Sequence, residues 1–87
     1  MDRVRDAVAA LSPREAYLVS DRAVELLLDD GRWFRITAAE DLKGSAGFSA
    51  SYEVADERKL WSPDSQPDAH ADTAEECLAY AIGWLPR

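Results

Sequence analysis

Three groups of residues in this chain carry side chains capable of chemistry. The first is Asp68-Ala69-His70-Ala71-Asp72, where an imidazole stands between two carboxylates at alternating spacing. In an extended segment these three would share one side and form part of a metal site. The rest of a ligand set is missing: His70 is the only histidine, no cysteine lies nearby, and no glycine-containing calcium loop surrounds the acids. The spacing therefore reads as a solvated His70 followed by an Asp72 that favours the positive end of a helix.

The second is Cys77, the sole cysteine. A thiol near a helix start can be activated, but Glu75 and Glu76 beside it disfavour a thiolate. Its place on an apolar stripe also suits a packed side chain, the commonest fate of free cysteine. No third group that would orient a Cys77 and His70 couple can be named.

The third is the set of acid pairs Asp29-Asp30, Glu40-Asp41, Asp56-Glu57 and Glu75-Glu76. Such pairs at turns and helix starts are solvated or capping groups, and a glycosidase-type pair needs a larger cleft than 87 residues readily build. Gly44-Ser45-Ala46-Gly47 lacks the Lys-Ser/Thr that completes a phosphate loop. The reading is non-catalytic, with no cofactor and no metal.

The elements that must position these residues follow from periodicity. Asp2 to Leu11 places Val4, Val8 and Leu11 at helical spacing among alanines and predicts a short docked helix. Ser12-Pro13-Arg14-Glu15 admits either a second helix or a turn into strands. The alternation around Val24, Leu26 and Leu28 and the Asp30-Gly31 turn favour strands. A short strand is expected near Tyr17 to Val19, then a hairpin of Ala23 to Asp29 with Arg32 to Thr37. Ala38 to Gly47 reads as a connection with a helical turn at Ala39 to Leu42. Phe48, Ala50, Tyr52 and Val54 alternate with small or polar residues and predict a half-buried strand. Arg58 to Trp61 is expected to return as a last short strand, and Ser62 to Asp72, with Pro63 and Pro67, to be an exposed loop. Thr73 and Glu76 have capping-box spacing before a stripe of Ala74, Cys77, Leu78, Ala81, Ile82 and Leu85, which predicts a helix ending near Pro86. The expected fold is α+β over residues 1–87: an antiparallel sheet of four to five short strands covered by an N-terminal and a C-terminal helix. Trp33 or Phe34, Phe48 and Tyr52 are expected in the core, with Trp61 and Trp84 balanced between core and surface.

Charge supplies the functional lead. The chain has 17 Asp and Glu against 10 Lys and Arg, a net charge of -7. Residues 1–35 hold seven acids and six bases, a sum of -1; residues 36–87 hold ten acids and four bases, a sum of -6. Such a field repels phosphate and attracts a basic protein surface. Arg32-Trp33-Phe34-Arg35 interleaves bases with aromatics as single-strand binders do, but nearby acids match those bases in number. Direct nucleic-acid binding is therefore not expected.

The expected binding surface comprises Asp64, Asp68, Asp72, Glu75 and Glu76 with the aromatics Trp61, Tyr80 and Trp84. Three classes fit it. One is an inhibitor of a basic nucleic-acid-handling protein, of the phage anti-defence or anti-CRISPR kind. Another is an immunity protein or antitoxin against a basic toxin. The third is a self-associating regulatory module whose sheet edge pairs with itself to give a homodimer. Lone cysteine usage and the lack of an apolar run or leader pattern lead to the expectation of a soluble, cytoplasmic, non-membrane protein. Arg over Lys at 8 to 2 and 15 alanines point to a GC-rich bacterial or phage genome.

Overall fold

The computed structural model describes residues 2–40, 47–64 and 69–85. Helix α1 (Asp2–Leu11) opens the chain, followed by strands β1 (Glu15–Ser20), β2 (Ala23–Leu27), β3 (Trp33–Glu40), β4 (Phe48–Ala55), β5 (Ser62–Asp64) and β6 (His70–Ala71), then helix α2 (Ala74–Gly83). The strands form one antiparallel sheet in the order β1-β2-β3-β4-β5, with β6 pairing beside β5 along the same edge of β4. The α+β expectation, with a helix at each end of the chain, is met.

Local chemistry accounts for the turns. Ser12 ends α1 in the left-handed region (φ 53), its N–H bonded to the Val8 carbonyl and its hydroxyl to that of Ala9. Pro13 then directs the chain into β1, so the segment that also resembled a helix start becomes the turn before a strand. Asp30 closes the β2–β3 hairpin by accepting the Arg32 backbone N–H at 3.0 Å, while Gly31 supplies a φ of 89°.

Strand alternation gives the sheet two unlike faces. Val24, Leu26, Phe34, Ile36, Ala38, Ala50 and Tyr52 face the helices and form the main core with Val4, Cys77, Leu78, Ala81, Ile82 and Leu85. Phe34, Leu26, Ile36, Leu78 and Ile82 are fully enclosed. At about 1.5 to 3 kcal/mol for each large apolar side chain, these few residues dominate the drive to fold. The opposite face carries a small cluster of Leu27, Trp33 and Ala55, with Trp61 packed on it. Trp33 and Phe34 are thus both buried, on opposite faces.

Three expectations are corrected. Ala38 to Glu40 continues β3 instead of turning, because Ala38 is buried and the ladder with β4 runs on to Glu40 opposite Phe48. The rest of the expected helical turn, Asp41 and Leu42, lies outside the described residues. Arg58 to Trp61 is not a strand: Lys59 takes a left-handed φ of 56° after the Asp56 turn, and Trp61 folds under the sheet. The partner strand of β4 is instead Ser62–Asp64, within the segment expected to be a loop. A second piece of that segment is also built in. Ala69 is completely buried and its carbonyl accepts the Ala50 N–H at 3.0 Å, and His70–Ala71 pair with Ser49 and Phe48.

Candidate protein-binding surface

The acids and aromatics singled out in the sequence do not form one patch. Helix α2 organises the larger share. Thr73 caps it, its hydroxyl oxygen accepting the Glu76 N–H at 3.1 Å. Cys77, Leu78, Ala81 and Ile82 turn inward, so Glu76, Tyr80 and Trp84, at i, i+4 and i+8, run along the outward side. Tyr80 and Trp84 are about half exposed, at 47% and 49%. Asp72 precedes the cap, and no described cation stands within ion-pair distance of it. Asp64 sits in β5 opposite Tyr52 in register, on the helix-covered side of the sheet. Asp68 lies outside the described residues.

Glu75 and Glu76 already have structural work. The Arg3 backbone N–H, in the first turn of α1, donates to Glu75 Oε2 at 2.9 Å, and the Arg3 guanidinium reaches Glu76 Oε1 at 3.3 Å. A helix start presents unsatisfied N–H groups and partial positive charge, so these carboxylates complete α1 and fasten it to α2. Glu76 therefore answers Arg3 across the helix pair, where the capping-box spacing had suggested a local reciprocal bond. Nothing in the local sequence around Glu76 signals this, since Arg3 is more than seventy residues away.

Trp61 belongs elsewhere. It packs against Leu27, Trp33 and Ala55 on the face turned away from the helices, with the Arg35 guanidinium 4.3 Å from its ring centroid. Arg35 is itself held between Glu53 at 3.0 Å and Glu25 at 3.7 Å, its neighbours in register on β4 and β2. Lys59 lies 4.0 Å from the Trp33 centroid and 3.7 Å from Glu25, and Tyr17 stacks on Trp33 at 6.1 Å. Cations over aromatic faces and between carboxylates make a closed layer. Phe34 is in the core, and Arg32 is bound to Asp30 at 2.6 Å. The interleaved Arg32 to Arg35 stretch thus offers neither an open stacking platform nor an uncompensated cation. Trp61 is removed from the expected acidic patch by this arrangement.

The charge pattern generalises. Arg3, Arg5, Arg22, Arg32, Arg35, Arg58 and Lys59 each stand within ion-pair distance of a carboxylate. Among the described cations Arg14 alone stands in no such pair, so the unmatched charge presented to solvent is predominantly acidic.

The reactive side chains are quiet. His70 is exposed, and among the described residues no cluster of three His, Cys, Asp or Glu side chains is arranged to hold a metal ion. Cys77 is enclosed, its thiol directed at the Ala69 carbonyl at 3.4 Å, and burial pushes its pKa up. Asp30 is held below the usual carboxylate range by the Arg32 backbone N–H first and by the Arg32 side chain. Tyr17 is raised by its hydroxyl bond to the Glu15 carboxylate. Among the described residues no helix is long and apolar enough to cross a membrane. Comparison with known proteins finds no matching family model, no matching curated protein and no matching solved structure.

Proposed function

We propose that this is a small non-catalytic binding protein that inhibits a basic, nucleic-acid-handling protein in the cytoplasm, as phage anti-defence proteins of the anti-CRISPR kind do. The observation that carries the reading is the outward side of α2, where Tyr80 and Trp84 stand exposed on the helix whose start gathers Asp72, Glu75 and Glu76. Aromatic side chains supply interface energy at low entropic cost, and surrounding acids steer a cationic partner and set the register of docking. A site shaped for phosphate would meet this acidic helix as a competitor of its nucleic acid. The engaged state of Arg32 and Arg35 supports a protein partner over direct nucleic-acid binding. An immunity protein or antitoxin against a basic nuclease would use the same surface.

The test is affinity capture from a host-cell lysate at low and high salt, with wild type beside Asp72→Arg and Tyr80→Ala/Trp84→Ala. These side chains are surface groups, so the variants are expected to fold. The expected result is one basic nucleic-acid-binding protein, released by salt, weakened by Asp72→Arg and lost with the aromatic pair. Added nucleic acid should compete for that protein. A partner indifferent to both variants, or one that binds nucleic acid undisturbed in the complex, would overturn the reading.

A further inference from the structure

We infer that the β1 edge pairs with a second copy of this chain across a two-fold axis at Tyr17, joining two sheets into one. The two edges of the sheet differ in their protection. On the far side β5 is three residues long and has Pro63, which has no N–H to offer, at its centre. On the near side β1 runs six residues with neither Pro nor Lys, and Tyr17, Leu18 and Val19 are 49%, 54% and 55% exposed.

Hydrogen-bond alternation says which backbone groups are free. Leu28 donates to the Arg32 carbonyl at 2.9 Å, so by antiparallel alternation Val24 and Leu26 bond toward β3 while Glu25 and Leu27 bond toward β1. Their register partners Tyr17 and Glu15 turn inward, and Ala16 and Leu18 present N–H and C=O outward. A bulge between Leu18 and Ser20 ends the regular stretch there.

A two-fold axis at Tyr17 sets Ala16 against the partner's Leu18, and Leu18 against the partner's Ala16, as hydrogen-bonded pairs. On the helix side each Leu18 would then approach the other copy's open groove of about 260 Å³, whose lining includes Val4, Arg5, Val8, Ala16, Val24 and that copy's own Leu18. Shifting the axis to Leu18 would set Ala16 against the partner's Ser20, beyond the bulge where the regular stretch has ended, whereas the Tyr17 axis keeps its hydrogen-bonded pairs within that stretch and is preferred. The two copies also meet through the half of the chain whose charge sum is -1, keeping the strongly acidic halves apart.

A contact this short gives a weak dimer, with a dissociation constant on the order of 100 μM. Sedimentation equilibrium of the full chain from about 10 μM to about 1 mM should show mass rising toward twice the monomer. Added salt should strengthen this association by screening like charge, opposite to its effect on an acidic-surface complex, so the two proposals fail separately. Leu18→Lys should weaken dimerisation at least about tenfold, as edge lysines do. Tyr17→Cys should form an intermolecular disulfide on oxidation, because the residues on the axis form a non-hydrogen-bonded pair with Cα atoms about 4.5 Å apart. Ser20→Cys should not, and circular dichroism would check the fold of each variant. Monomer mass throughout, a dimer indifferent to Leu18→Lys, or a dimer that Tyr17→Cys does not cross-link would each overturn the inference.

Discussion

Cys77 makes the residue-scale case for packing over chemistry. Its thiol is enclosed beneath Ala69, and burial raises its pKa because the thiolate loses hydration without gaining a cation. The native protein should therefore react with a thiol reagent at least about 100-fold more slowly than the unfolded chain, since reaction requires opening. The same shift fixes a pH dependence. Because the folded pKa lies above the unfolded one, the contribution is intact below the ordinary thiol range and is lost as pH rises through the folded value. Denaturant titrations should show stability falling at alkaline pH in wild type and a shallower fall in Cys77→Ala. Equal slopes in the two, or fast native labelling, would mean the thiol is open. That Cys77 packs was legible from its place on a helical stripe. The duties of Glu75 and Glu76 toward Arg3, and of Trp61 beneath Arg35, were not, because each depends on a neighbour brought from a distant part of the chain.

At the scale of elements, legibility followed the size of the apolar side chains. Both helices, the β2–β3 hairpin and β4 announce themselves by periodicity, and their ends lie close to the expected positions except that β3 runs on to Glu40. The stretch from 62 to 72 did not, because its described pieces are held by backbone pairing and by one alanine. Gly47 shows how tightly β6 is seated. A Cβ built there would stand 2.7 Å from the Ala71 carbonyl oxygen, and the φ of 131° already excludes most side chains. Gly47→Ala must push β6 away from β4 or strain the backbone, and should cost about 1 to 3 kcal/mol in urea unfolding. Since the Ala69 carbonyl covers the Cys77 thiol, the variant should also speed native labelling of Cys77. A loss of stability without faster labelling would place the strain in the backbone at position 47 itself and leave β6 seated.

For the whole molecule the question is whether the net charge of -7 or the local ion pairs govern the response to salt. The described residues extend 36 by 26 by 21 Å. At about 0.01 M ionic strength the Debye length of about 30 Å spans most of that, so every acid feels every other and the excess repels itself. At about 0.15 M it falls to about 8 Å, which uncouples distant acids. Contacts such as Arg32 to Asp30 at 2.6 Å and Arg35 to Glu53 at 3.0 Å remain well inside that length. Exposed pairs contribute only about 0 to 1 kcal/mol each in any case, so weakening them costs little. Melting temperature should therefore rise by about 3 °C between these salt concentrations. Measured at a few micromolar, below the range of the β1 dimer, the rise would report on the monomer alone. A fall would mean that the ion pairs, above all the Glu25, Arg35 and Glu53 row on the face turned away from the helices, outweigh the repulsion. The charge would then serve the fold before it served any partner.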